Sequence, residues 1–525
     1  MSQQTAYLSF IETHQLHTLF THIQCGIEKE SLRITAPGEL AQTPHPKALG
    51  STLTHPSITT DYSESLMELI TGVHNTAESC LSELESVHRC VYQALDNEIL
   101  WVASMPCFIA KESDIPIAQY GSSNIGRMKH VYRIGLEKRY GRLMQTIAGI
   151  HYNFSLDDDF WTRYQQDSND TRPLTEFKTE HYFHLIRNFQ RHAWLLVYLF
   201  GASPAVCTSF VRNREHQLQT LDNGDLGMPF GICLRMGDLG YQSDAQKTLT
   251  ATYKNVDSYT QILLNALTTE HSDYADIGTH DESGWVQLNT HMLQIENEFY
   301  SIIRPKTLTQ SGEAPLNALN DRGIDYIEVR CLDLNPYLPM GIDAQQIHFI
   351  NAFLLFCLFS PSPELSQDEL ALSRKKFKRV VTHGLQPDLE LPDGPFLTQA
   401  NALMRGISDF SKLLDEAHSD NKHSDALAAQ QAKLDDSRLT PAAQILADLH
   451  PSNGDTKHFF TWNLNRSRET AVHFQNAQMS DEERAAFVAQ ASVSFDKQRQ
   501  IELDDELDFD AFLSHYYAQY EQLRT

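Results

Sequence analysis

The chain has no pair of cysteines at C-x-x-C spacing, so a zinc ribbon or a thioredoxin-like redox motif is excluded. Its eight cysteines are scattered singly between Cys25 and Cys357, which points to a reducing compartment and not to a disulfide framework. Long apolar runs are missing too. The longest stretches, Trp194–Ala202 and Phe353–Phe359, fall well short of the ~20 residues needed to span a membrane. The first residues carry neither a basic segment nor an apolar one of the kind that directs export. Positive charge is in short supply. There are 42 Lys and Arg against 68 Asp and Glu, a formal net charge of −26. Such a surface repels nucleic acid and anionic membranes, so neither is expected as a partner and a cytoplasmic location is. Any anion site has to be a local exception made by metals or arginines.

The common signatures of nucleotide and hydrolytic chemistry are also absent. Gly121–Met128 approaches the phosphate-binding loop G-x-x-x-x-G-K-[ST] but places Arg127 at the lysine and Met128 at the hydroxyl. There is no H-E-x-x-H, no G-x-S-x-G and no kinase signature set.

What is present is an ordinary globular composition, 41% hydrophobic and 21% charged over 525 residues. Period-2 alternation predicts strands at 28–34, 151–156, 287–298 and 325–333. Helical spacing runs through Phe183, Ile186, Phe189, Ala193 and Leu196 and stops near Gly201. A second helix starts near Asp343 and ends at Ser360 and Pro361. Beyond residue 362 strand patterns thin out. Leu403, Ile407, Phe410 and Leu414 keep helical spacing, the polar stretch 415–437 reads as a loop or an exposed helix, and Ser480 with Glu483 forms a capping box. The expected organisation is one large α+β domain over 1–525, with a catalytic core at 22–345 and a mainly helical part at 362–525.

Several acids sit where acids are costly. Alternation puts Glu28 and Glu30 on one strand face with Leu32 and Ile34. Two such carboxylates either face solvent at an edge or share a cation. Asp61, Glu64 and Glu68 fall at i, i+3, i+7, the spacing of one helix face. His151, Asn153 and Ser155 share a strand face, as do Glu328 and Arg330. A carboxylate beside a guanidinium is either a structural ion pair or a metal ligand next to a phosphoryl contact. Taken together these oxygen-rich groups suit Mg²⁺ or Mn²⁺ better than zinc. A basic run, Arg127, Lys129, Arg133, Lys138, Arg139 and Arg142, reads mostly as a solvated helix face.

At these residues the chain resembles a known family. The segments around Glu28 and Glu30, Thr59–Tyr62, Ser104–Cys107, Ala118–Gly121, Gln145–Ser155, Gly201–Ala205, Leu239–Tyr241, Gln294–Tyr300 with Arg304–Lys306, and Tyr326–Arg330 are similar, in unbroken order, to the proteobacterial type of glutamate–cysteine ligase. The resemblance implies a glutamine-synthetase-like fold: a curved, mainly antiparallel sheet forming a funnel-shaped active site, flanked by helices. It implies ATP-dependent ligation of the γ-carboxylate of L-glutamate to the amino group of L-cysteine through γ-glutamyl phosphate, the first step of glutathione biosynthesis. ATP is then a co-substrate, Mg²⁺ (or Mn²⁺) the cofactor, and glutathione a candidate feedback inhibitor. By the same resemblance Glu28, Glu30, Asp61, Glu68, His151 and Glu328 are metal ligands. Arg330 contacts the transferring phosphoryl group beside Glu328, and Tyr132, Gln145, Arg235, Tyr241 and Tyr300 receive cysteine. A related ligase with another amine acceptor uses the same acids, and a non-catalytic metal- and nucleotide-binding protein keeps them without turnover.

Overall fold

The structure is a computed structural model that describes residues 3–212, 215–222, 224–240, 245–249, 253–451 and 456–524. Its centre is a seven-stranded sheet: β1 (Ile23–Thr35), β2 (Ile58–Thr60), β3 (Leu66–Ile70), β4 (Glu98–Leu100), β5 (Ile150–Leu156), β6 (Ile303–Lys306) and β7 (Tyr326–Leu332). The order is β6-β7-β5-β1-β3-β2, with β4 joined to the far end of the long β1. Every pairing is antiparallel.

Register decides what each face carries, because partners across an antiparallel pair project to the same side. Glu28 lies opposite His151 on β5 and Ile70 on β3, and Glu30 lies opposite Glu68. Asn153 pairs with Glu328, which pairs in turn with Arg304. One face is therefore polar and carboxylate-rich. The alternate residues, Ile27, Tyr152, Phe154, Leu69, Ile327 and Val329, are fully buried. Against that apolar face pack α1 (Ala77–Ala94) and α3 (Leu174–Phe200).

Helix α2 (Asn124–Tyr140) follows an N-cap serine, Ser123, whose side chain accepts from Gly126 N, and stops at Gly141, where φ is +79°. α4 (Ala344–Leu358) starts at the Asp343 cap and is buried along nearly its whole length. The chain continues as α5 (Gln367–His383), α6 (Phe396–His418), α7 (Lys422–Asp435), α8 (Phe459–Asn476), α9 (Asp481–Asp504) and α10 (Phe509–Ala518). The Ser480–Glu483 capping box opens α9 as expected. The stretch 415–437 contributes α7, which packs on α4 and α6 and buries Ala426 and Leu434, so it is not an exposed segment. The last helices return to the sheet half. Ser51 donates to Gln498 Oε1 (2.6 Å), Asn289 Nδ2 to Tyr517 Oη (2.8 Å), and Arg127 lies 4.3 Å over the Phe509 ring.

Three expectations are corrected here. Residues 61–68 are not a helix. They form the β2–β3 hairpin, because Ser63 and Glu64 hold the turn through Pro116 O, His45 N and Gln119 N, and β1 supplies the edge that β3 needs. Residues 287–298 are not a strand. Their backbone makes one isolated antiparallel bridge, Glu270↔His291, with His271 N donating to Thr290 O and Met292 N to Thr269 O, and side chains tie the rest, with Leu288 N donating to Gln294 Oε1 and Asn289 Nδ2 to Gln294 O. The basic run is not mainly solvated. Arg127 and Lys138 are exposed, but Arg133 donates to Asp61 O and Arg142 to Ile115 O. Arg139 is sealed against Glu298, 3.0 Å away, both side chains at 0% exposure.

The Arg139–Glu298 pair gives a stability prediction. Glu298 also accepts from Tyr140 Oη (2.7 Å) and Gln294 N (2.6 Å). Glu298→Ala strands a buried guanidinium, which costs about 3–5 kcal/mol. A urea unfolding midpoint that barely moves contradicts this assignment.

Candidate functional site

The polar face gathers five carboxylates and one imidazole. His151 sits under them, 5% exposed. Its Nδ1 is 3.1 Å from Glu28 Oε2 and 3.9 Å from Glu328 Oε1, and its Nε2 is 3.8 Å from Glu30 Oε1. Ligand atoms of Glu28, Glu68 and His151 lie within 4.8 Å of one another. Glu28 is fixed by Asn153 Nδ2 (2.9 Å), and Glu30 accepts from Gly149 N (2.7 Å). Asp61 follows β2 in the turn and lies outside the tight Glu28–Glu68–His151 group, but its charge reaches both Glu30 and Glu68.

The electrostatics show a site short of positive charge. Burial, then Asp61, pushes Glu30 up to about 8, against the pull of Arg235, Arg330 and the Gly149 N–H. Burial, then Glu28, Asp61 and Glu30, raises Glu68 well above the usual carboxylate range. Glu328 goes the other way. Burial opposes its ionisation, but Lys306 (3.5 Å) and Arg330 (2.9 Å) outweigh it and hold it well below that range. Burial also raises Glu28, yet the His151 hydrogen bond brings it below its ordinary value. His151 is held low by burial and by Arg330, so its ring stays neutral at neutral pH, and its buried Nε2 makes no hydrogen bond among the described residues. Clustered carboxylates around an unpartnered imidazole nitrogen fit divalent cations, which would relieve the repulsion.

A bulge in β7 between Val329 and Leu332 shifts the register beside Arg330. The Arg330 carbonyl accepts from Arg235 Nη2 (2.8 Å), and Arg235 is 1% exposed. Arg235, Tyr300 and Arg330 all line one cavity of about 370 Å³, together with Gln190, Tyr253 and Arg374. Gln145 Nε2 reaches Tyr300 Oη at 3.4 Å. Tyr132, 9% exposed, is close enough to feel the charges of Glu298 and Tyr300. Of the residues singled out in the sequence, the structure thus brings together Glu28, Glu30, Glu68, His151, Glu328 and Arg330, and beside them Arg235, Tyr300 and Gln145. Tyr241 lies outside the described residues.

Sequence reasoning missed three participants. Lys306 faces Glu328 from the neighbouring strand, a placement that the pairing Arg304↔Glu328 makes but no local spacing shows. Asn153 was on the right face without a role. Gly149 permits the close approach of Arg235, since a Cβ there would lie 2.1 Å from Nη2 and 2.4 Å from Cζ.

The family described as Glutamate-cysteine ligase matches residues 8–380. A glutamate–cysteine ligase of Pseudomonas putida is 49% identical over 504 residues, covering 94% of this chain and 95% of that one. One of Azotobacter vinelandii is 48% identical over 508 residues, 95% of each. The crystal structure of a Francisella tularensis glutamate–cysteine ligase in complex with AMP superposes with a TM-score of 0.89 at 34% identity, covering 96% of this chain and 99% of that one. A bifunctional glutathione synthetase from Pasteurella multocida shares the fold, with a TM-score of 0.72 at 24% identity over 89% of this chain and 55% of that one. With the family matched over most of its length and relatives near one-half identity almost end to end, this chain belongs to the glutamate–cysteine ligase family.

Proposed function

We propose that the chain joins the γ-carboxylate of L-glutamate to the amine of L-cysteine at the expense of ATP, and that the polar face of the sheet is where this happens. The observation that supports the reading best is the convergence of Glu28, Glu68 and His151 within 4.8 Å beside an Arg330–Glu328 pair at 2.9 Å that opens on the Arg235 cavity. Glu28, Glu30, Asp61, Glu68, His151 and Glu328 would hold Mg²⁺, or Mn²⁺ in its place. Bound there, the cation would neutralise phosphate charge.

A carboxylate oxygen of glutamate attacks the γ-phosphorus of ATP and ADP departs, leaving γ-glutamyl phosphate. The cysteine nitrogen then attacks the γ-carbonyl carbon, phosphate leaves with the C–O bond electrons, and the amine gives up a proton. Arg330 meets the transferring phosphoryl group fork-on, and Lys306 keeps Glu328 ionised. Arg235 pairs with the cysteine carboxylate, and Tyr132, Gln145 and Tyr300 wall its side chain. Glutathione, which contains both amino acids, is proposed to compete for the same site. We place the protein in the cytoplasm, consistent with eight free thiols; no described helix is long and apolar enough to cross a membrane.

Phosphate release from ATP tests the reading. Release that requires glutamate, cysteine and Mg²⁺ together is expected, and cysteine should outpace other amines at equal concentration. Nucleotide binding with no release under any combination would point to a non-catalytic protein. Gly149→Ala pushes the Arg235 guanidinium out of place. It should cost about 10²-fold in kcat/KM for cysteine, the scale of an ångström's misplacement, with glutamate KM little changed. An unaltered cysteine KM would take Arg235 out of cysteine binding.

A further inference from the structure

A second group of metal-ligating side chains lies away from the sheet face, where the α6–α7 turn meets α1 and α4. Asp415 and His418 end α6, Asp420 is in the turn, and His423 is in the first turn of α7. One ligand atom each from Asp415, Asp420 and His423 lie within 4.8 Å of one another. The His423 ring is flanked by His348 of α4 (centroids 4.7 Å apart) and by His418 (5.6 Å). Two imidazoles on one tetrahedral ion have ring centres about 5 Å apart. Glu78, from the first turn of α1, lies 3.5 Å from His348 Nε2 and also holds Lys422 at 2.5 Å; Lys422 is 3.8 Å from Asp420.

Part of this arrangement is explained by helix capping. Asp415 accepts from His423 N (2.9 Å) and Ser424 N (3.0 Å) and so closes the start of α7. Capping does not explain the ring. His423 is 3% exposed, and its Nδ1 sits 3.2 Å from Asp415 Oδ1. That leaves Nε2 with no hydrogen bond among the described residues. A carboxylate on one ring nitrogen is how proteins orient imidazole ligands for metals, and two more histidines flank this ring. Burial and the two neighbouring histidines keep the ring neutral, with its lone pair available.

We propose that this junction is a second cation site, for a transition metal of the Zn²⁺ class, with Asp420 and His423 as ligands, His348 and His418 completing the shell, and Asp415 orienting or sharing the ion. Mixed nitrogen and carboxylate donors select such ions over Mg²⁺, unlike the oxygen-rich sheet site. Bound there, the ion staples α6 and α7 to α4, which packs on α1. The role is structural and separate from turnover.

The test is a Zn²⁺ titration of the chelator-stripped full chain in excess Mg²⁺, read by calorimetry and by melting temperature. His418→Gln/Asp420→Asn, at half-exposed positions, leaves the Asp415 cap intact, and His423→Gln keeps the backbone donor. One Zn²⁺ equivalent should be lost, or weakened at least about tenfold, in both variants. The Zn²⁺-induced rise in melting temperature should go with it, while Mg²⁺-supported ligase activity without Zn²⁺ stays at the starting level. No Zn²⁺ binding by the unaltered chain, or identical binding by the double variant, overturns the proposal.

Discussion

Arg330→Ala is expected to lower kcat by about 10³-fold with little change in melting temperature. Arg330 comes from a bulged strand, stays partly exposed at 19%, and contacts Glu328 at 2.9 Å while lining the cavity shared with Arg235. Its fold contribution comes mainly from the backbone, where its N–H donates to Ile302 O and its carbonyl accepts from Arg235; the alanine variant retains both. What it loses is a planar cation beside the position of phosphoryl transfer, and positioned arginines at such centres supply 10³-fold or more. Arg330→Lys keeps the charge without the fork and should recover only a small part. Near-normal turnover in the alanine variant would remove Arg330 from the chemistry.

Glu30→Gln is expected to act in opposite directions on activity and on stability. Activity should fall by at least about 10²-fold, because a cation that offsets several kcal/mol of phosphate charge loses a ligand. The metal-free protein should keep or gain stability, since glutamine can still accept from Gly149 N while one buried, repelling charge disappears. The sign with pH follows from the raised carboxyl. In the unfolded chain Glu30 ionises near its ordinary value of 4.5, and in the metal-free fold it is pushed up to about 8. The proton it holds therefore stabilises the fold fully at low pH, and this contribution is lost as pH rises through about 8. Denaturant midpoints of the metal-free chain, compared with those of Glu30→Gln, should converge at acid pH and separate toward pH 8 in favour of the variant. Adding Mg²⁺ should stabilise the unaltered chain most at the alkaline end. A variant that is less stable at pH 8 without metal would show that Glu30 is a structural hydrogen-bonding group and not a cation ligand.

How much of this site could be read from the sequence depended on whether its parts were local. Glu28, Glu30 and His151 sit on strands whose alternation is plain, so their shared face was visible before their neighbours were known. Glu68 was assigned to a helix because Asp61, Glu64 and Glu68 happen to fit helical spacing. The hairpin that forms instead is fixed by β1, thirty-odd residues upstream, and by Pro116 downstream. The false strand at 287–298 shows the converse: alternation whose partner edge is a single bridge at Glu270 does not make a strand, and beyond that bridge glutamine and asparagine side chains take up backbone groups. Arg139 looked solvated because its partner Glu298 is far away in the chain. Lys29 and His88, buried with Lys29 Nζ 2.7 Å from His88 Nε2 beneath the carboxylates, left no local trace either. Nor did the grouping of His348 with His418 and His423, which exists only once α4, α6 and α7 are packed.

The central claim is that the sheet face activates glutamate by forming an acyl phosphate. It is tested most directly with glutamate carrying ¹⁸O in its γ-carboxylate, incubated with ATP, Mg²⁺ and cysteine. The account predicts that each phosphate released carries one ¹⁸O from the glutamate, and that Arg330→Ala stops both transfer and release. Product formation with phosphate free of the label would contradict it, because the γ-carboxylate would then never have been bonded to phosphorus.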